Sequence, residues 1–270
     1  MAGSIAETSS KPGARRIGLE RWLSASAIAA GFAAWELIAV LRLAPADLLP
    51  GPVVVAATFF DILLNGYRDT TLMQDVLVTL YRCGAGFLLA CAVGIPLGLL
   101  MGYWARLRSA LDPIVQFMRP LPPLSYLVLL ILWLGTGNGS KIALLFLSAF
   151  PIVVSSATAG VRSVREQKLQ VARSLGANDW QVFRFVILPS ALPMIFTGAR
   201  IALAVAFSTV VAAELMAATD GLGWMVFSAS HFLRNDVIIM AVILLGLLGL
   251  SLNRLMLAAD SALIHWRGVE

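Results

Sequence analysis

Few residues in this 270-residue chain have side chains that could carry out a reaction, and they are scattered. His231 and His265 are isolated, on opposite sides of the expected topology, and have no cysteine or carboxylate cluster beside them. A metal site is therefore not expected. No Ser/His/Asp set can be assembled on one face, and no GxxxxGK[ST] loop is present, so neither nucleophilic catalysis nor nucleotide hydrolysis is expected of this chain. Cys83 and Cys91 fall eight residues apart on one predicted helix, about 12 Å along its axis. A bond between them is excluded there. What remains is a set of charges inside apolar stretches: Glu36, Arg82, Arg119, Arg200 and Glu214. Charges in such a setting are costly and hold one another, line a cavity, or meet a charged solute.

The elements that must position these charges follow from composition. Apolar residues make up 59% of the chain and charged residues 13%, against roughly 45–50% and 25% in soluble proteins. Mean hydropathy is +0.86. Disordered, coiled-coil, disulfide-stapled and ordinary cytosolic enzyme classes are excluded. Uncharged blocks at Cys83–Ala105, Ile142–Val161 and Val237–Asn253 have about the length of a membrane span. Less clean blocks lie at Trp22–Leu41, Asp112–Leu134 and Ala191–Ala217. The expectation is an all-α polytopic membrane protein of about six transmembrane helices. A β-barrel is excluded because the runs do not alternate in polarity.

Lys and Arg set the orientation. Twelve fall on the side holding both termini and four on the other, so both termini are expected in the cytoplasm. The net charge of +5 is this same asymmetry and needs no nucleic acid. Residues 1–20 read as a disordered tail, and 21–268 as one transmembrane domain. Ala44–Pro52 is a proline-rich outer turn, Val53–Asn65 a short amphipathic helix, and Arg106–Asp112 a short basic turn. The prolines of Arg119-Pro-Leu-Pro-Pro123 must break the third block. Gly135–Gly139 is a tight outer loop, and Gly221–Trp224 an outer turn.

The cytoplasmic segment Arg162–Pro189 has helical punctuation of its own. Val164, Lys168, Val171 and Leu175 share one face. Gly176 stands where a terminating glycine would, and Asn178 with Gln181 forms a variant capping box. A second helix is expected over Trp180–Ile187, stopped by Pro189. A helical element presenting Leu175 and Trp180 to water suits either a lipid surface or a soluble partner.

Gln170-Val-Ala-Arg-Ser-Leu-Gly176, closed by Val186-Ile-Leu-Pro189, resembles the EAA loop of permease subunits of ATP-binding-cassette importers. Ala172, Gly176, Leu188 and Pro189 match that pattern; Gln170, Val171 and Val186 depart from it. Arg119–Tyr126, Trp133–Gly137, Ala172–Ala177 and Ala213–Met225 are similar to the branch that handles taurine, aliphatic sulfonates and nitrate, with taurine permeases nearest in pattern.

The resemblance implies a bacterial inner-membrane subunit with no cofactor of its own, ATP and magnesium being bound by partner ATPase subunits. A second permease subunit, as a homodimer, and a periplasmic solute-binding protein would complete the importer. Gln170, Ala172, Leu175, Gly176, Trp180, Leu188 and Pro189 would couple the chain to the ATPase. The resemblance places the pathway along span five, where Arg200, Ser208 and Glu214 are candidate residues, joined by Arg119 beside the proline break; Glu214 could also hold a gate through an interhelical ion pair. Nitrate, a bicarbonate-type anion or a vitamin precursor are alternative solutes. An ion-gradient secondary transporter is the rival class, but it leaves the loop without a role.

Overall fold

The structure is a computed structural model describing residues 13–264 apart from Arg42, Ala44, Ala46 and Asp47. Side chains are described from Trp22 onward apart from Ser24, Ala25 and Ile28. The expected tail lies mostly outside these residues, as do Lys11, His265 and Arg267. Helix α1 begins at Gly13 and ends at Val40. Helix α2, Pro52–Asn65, opens on a proline at its first turn, buries Val55, Thr58 and Ile62, and ends at Gly66, whose φ is +77°. This is the short helix expected from the sequence.

Helix α3, Leu72–Tyr103, starts at Thr71, whose hydroxyl accepts the Gln74 N–H. Helix α4, Ala105–Met118, follows after one non-helical residue, Trp104 (φ −104°, ψ 107°). The expected basic turn at Arg106–Asp112 is therefore the first half of α4. A single residue in extended conformation is enough to redirect the chain, so Arg106 and Arg108 project from a helix. The proline cluster does break the third block. A 3₁₀ turn at Pro123–Tyr126 leads into α5, Leu127–Leu134, and the two halves are bent by 93°.

Helix α6 runs Asn138–Arg162, α7 Glu166–Ser174, α8 Asp179–Val182 and α9 Leu188–Ala217. Helices α10, Leu222–His231, and α11, Asn235–Leu263, complete the bundle. Gly221, with φ +100°, makes the turn expected over Gly221–Trp224; α10 begins at the next residue, so Leu222–Trp224 are helical rather than part of that turn.

Pro189 does not stop the helix before it. Residues Phe183–Ile187 form a π-helical turn, and the Leu188 N–H bonds the Phe183 carbonyl five residues back. The wider turn accommodates a ring that would clash with a carbonyl four residues earlier. The chain therefore stays helical from Asp179 to Ala217.

Among the described residues, four helical stretches are long and apolar enough to span a bilayer: α3, α6, α8–α9 and α11. The bent α4–α5 pair makes a fifth, and the fully described apolar part of the first expected span, Ala29–Val40, is a shorter apolar helix. Packing shows what the bent pair does. Gly86 faces Leu145, Gly94 Val153, Gly98 Ala157 and Gly102 Val161, a constant offset of 59 residues. Helices α3 and α6 are therefore parallel, and α4–α5 must bring the chain back to the level at which α3 began.

The glycine stripe is what lets α3 and α6 touch. A Cβ on Gly98 would fall 2.6 Å from the Ala157 Cβ, and one on Gly86 would fall 2.5 Å from the Leu145 Cβ. Small residues at such a seam give the backbone approach that drives association in lipid. Helix α9 packs antiparallel to α6, with Ala191 at Gly160 and Gly198 at Ser156. Helix α11 is antiparallel to α9, with Gly249 against Phe207.

Candidate functional site

The ends of this bundle differ in chemistry. One carries the segment between α6 and α9. Helix α7 closes with the Gly176 N–H bonded to the Arg173 carbonyl (2.9 Å) and the Ala177 N–H to the Ala172 carbonyl (3.1 Å). This Schellman geometry needs a left-handed residue, and Gly176 has φ +83°. Asn178 then caps α8: its side chain accepts the Gln181 N–H and its own N–H bonds the Gln181 side chain, both at 2.9 Å. Two interlocked caps make a stiff corner out of four residues.

That corner has a fixed and an open side. Val182 and Ile187 are buried against Val161, Ala157 and Ala191, with Leu169, Ala172 and Ala177 packed beside them. Leu175 is 83% exposed and Trp180 68%. Gln170, Val171 and Gly176 are also exposed, while Leu188 and Pro189 are half-buried at the start of α9. Of the face expected to unite Val164, Lys168, Val171 and Leu175, only Val171 and Leu175 are exposed; Lys168 is half-buried, and Val164 precedes α7 and packs inward with Leu169. Trp180 stacks on Phe183, and Tyr103 at the end of α3 meets Phe183 edge-on, with ring centroids 6.0 Å apart in both pairs. The exposed Arg173–Asp179 pair, at 3.5 Å, adds little.

The opposite end holds a buried polar cluster. Glu214, with no exposed surface, accepts from Arg82 Nη1 at 2.8 Å, Thr79 Oγ1 at 2.9 Å and the Gly223 N–H at 3.0 Å. Arg82 also binds the Asp220 carboxylate and its carbonyl, and donates Nε to Asn138 Oδ1 at 2.8 Å. Asp75 accepts the Gly221 N–H, and Lys141 donates to the carbonyls of Thr136 and Gly137. Helices α3, α6 and α9 and the start of α10 are thereby tied at one level. Gly221 and Gly223 are required here by space as well as by φ, because a Cβ on either would strike the Glu214 side chain.

Sequence reasoning singled out Arg82 and Glu214 separately and missed their union, along with Asp75, Thr79, Asn138, Lys141 and Asp220. The available signal was two opposite charges, each close to the same end of its span. Arg119, at the end of α4, and Arg200 and Ser208, on α9, are exposed and do not join this cluster. The Glu36 Oε2 is buried without a partner among the described residues.

Fold and site together define a class: a polytopic helical membrane protein with a preorganised apolar corner at one end and a charge-locked bundle at the other. The chain belongs to the family of binding-protein-dependent transport system inner membrane components, whose model matches residues 94–265. It is 42% identical over 247 residues to the taurine transport system permease protein TauC of Escherichia coli (strain K12), covering 91% of this chain and 90% of that one. A protein of Bacillus subtilis (strain 168) named for aliphatic sulfonates transport is 34% identical, over 98% of this chain and 96% of its own. In fold, the chain is similar to a chain of the inward-facing MetNI methionine ABC transporter, with a TM-score of 0.57 and 23% identity, covering 69% of this chain and 95% of that one. The protein is thus a permease subunit of an ATP-binding-cassette importer, a transport component rather than a catalyst.

Proposed function

We propose that this permease carries a small sulfonate, taurine, across the inner membrane. Similarity to TauC across nine-tenths of both chains is the observation that carries this reading. A soluble binding protein delivers the solute at the end holding Arg82 and Glu214. Separate ATPase subunits, which bind ATP and magnesium, engage the corner around Gly176. Both termini are cytoplasmic, in keeping with the excess of Lys and Arg on that side. Two copies of the chain form the translocation unit.

Leu175 and Trp180 supply the apolar contact to the ATPase, and Gln170 and Gly176 shape it. Movement at the corner reaches the bundle because α8 runs unbroken into α9 through the π-helical turn. Arg119, Arg200 and Ser208 face the path, while Glu214 holds the outer end closed through Arg82.

The test is uptake of radiolabelled taurine by proteoliposomes containing the permease, its ATPase and its binding protein. ATP-dependent taurine accumulation is expected. Accumulation of nitrate without taurine would overturn the solute assignment, and accumulation without ATP would overturn the importer reading.

A further inference from the structure

Arg200 occupies a costly position. Along α9 it lies about 21 Å from Glu214 and about 14 Å from Ala191, the residue that meets Gly160 near the loop end. Arg200 therefore lies in the interior of α9, twelve residues from Leu188 and seventeen from Ala217. Among the described residues it has no hydrogen-bond or ion-pair partner. An intramembrane arginine without a partner is expected to face water, a ligand or another chain.

The surroundings favour a ligand. Arg200 lines a cavity of about 220 Å³ between α9 and α11, with Phe207 on its own helix and Gly249 and Asn253 across from it. Arg200, Ala204 and Ser208 recur at four-residue steps and are all exposed, so one face of α9 carries a small, partly polar track leading to the arginine. Gly249 has no side chain to narrow the cavity, and the Phe207 ring lies 3.1 Å from where its Cβ would be. A space below the usual range for drug-sized ligands suits a solute of only a few heavy atoms.

Resting on the importer reading, we infer that Arg200 and Asn253 form a solute site within the membrane that takes the oxyanion group, a sulfonate, during passage. A guanidinium presents a flat fork of donors to two oxygens of an oxyanion, and the Asn253 amide supplies a donor for the third. The rest of the cavity is apolar and gives the solute's short carbon chain a wall without a competing charge. One wall of the site, α9, continues into the corner at the loop end. Its occupancy is therefore open to change as that corner moves.

The experiment uses the full complex in proteoliposomes, with taurine and nitrate as separate labelled probes. Arg200→Gln should lower the initial rate of taurine uptake at least tenfold, and Arg200→Lys should retain part of it. Asn253→Ala should raise KM several-fold with a smaller change in kcat. Wild-type uptake by Arg200→Gln would overturn the site. So would loss of co-purification with the ATPase or with a second copy in both Arg200 variants, since that outcome makes Arg200 an assembly contact. If the wild-type complex moves nitrate alone and Arg200→Gln abolishes it, the oxyanion site stands and the sulfonate assignment fails.

Discussion

Arg82 Nη1 and Glu214 Oε1 are 2.8 Å apart although 132 residues separate them in sequence, and both side chains are almost wholly buried. Their pairing joins α3 to α9 at the end of the bundle opposite the Gly176 corner. Asp220 and Asn138 on Arg82, and Thr79 and the Gly223 N–H on Glu214, supply the further hydrogen bonds of the two ions, which is the condition under which a buried pair is tolerated.

Removing one member should cost more than removing both. Glu214→Leu leaves Arg82 buried with Asp220 as its one carboxylate, a loss of about 3 kcal/mol, the lower end of the cost of breaking a buried pair. The double variant Arg82→Met/Glu214→Leu should recover much of that. Thermal unfolding of the purified complex, arranged as a double-mutant cycle, measures the coupling. Strict additivity of the two single changes would show that the pair is energetically independent.

Gly176 is required for its conformation and not for space, because a Cβ there meets nothing within 4 Å. Gly176→Ala should cost about 1 kcal/mol of left-handed strain and leave coupling largely intact. Gly176→Pro should uncouple, because proline removes the N–H bonded to Arg173 and cannot reach φ +83°. Solute-stimulated ATPase activity should fall at least tenfold in the second variant while membrane insertion is retained; wild-type stimulation in Gly176→Pro would refute the role of the corner.

Leu175→Asp tests the open side of the same corner. Since Leu175 is largely exposed, the substitution should leave thermal stability within about 0.5 kcal/mol. Recovery of the ATPase in a pull-down should drop sharply. Equal recovery from both proteins would remove Leu175 from the interface.

The glycine seam gives a paired control. Gly98→Ala places a Cβ 2.6 Å from both the Ala157 Cβ and the Val154 carbonyl, so α3 and α6 must separate. Overpacking of that kind costs about 1–3 kcal/mol, and the Thr158 hydroxyl bond to the Gly98 carbonyl is stretched as well. Gly84→Ala has open space around it and should be neutral or stabilising by up to about 1 kcal/mol. Melting temperatures of the two variants decide the matter: equal shifts would mean that the close approach is not what the glycines provide.

Much of this was legible in advance, for local reasons. The Gly176 turn and the Asn178–Gln181 box depend on residues within six positions of one another, so spacing alone revealed them. The Pro120–Pro123 break was visible because three prolines within four positions cannot sit in a regular helix, whereas the single prolines Pro96, Pro113, Pro151 and Pro193 are carried inside helices. The same rule misled at Pro189, where a π-helical turn relieved the clash and kept the helix going. It was silent at Trp104, where one residue with no breaker chemistry turned the chain.

Hydropathy runs and the loop motif are properties of contiguous residues, and they were enough to indicate a helical membrane permease. The parallel register of α3 and α6, the return of the chain through a bent α4–α5 pair and the meeting of Arg82 with Glu214 depend on which helix packs beside which. A glycine stripe announces that some helix will come close, without saying which one. That choice is made by complementarity among distant segments: here an unbroken 59-residue offset, at which every glycine of the stripe meets a side chain it can accommodate.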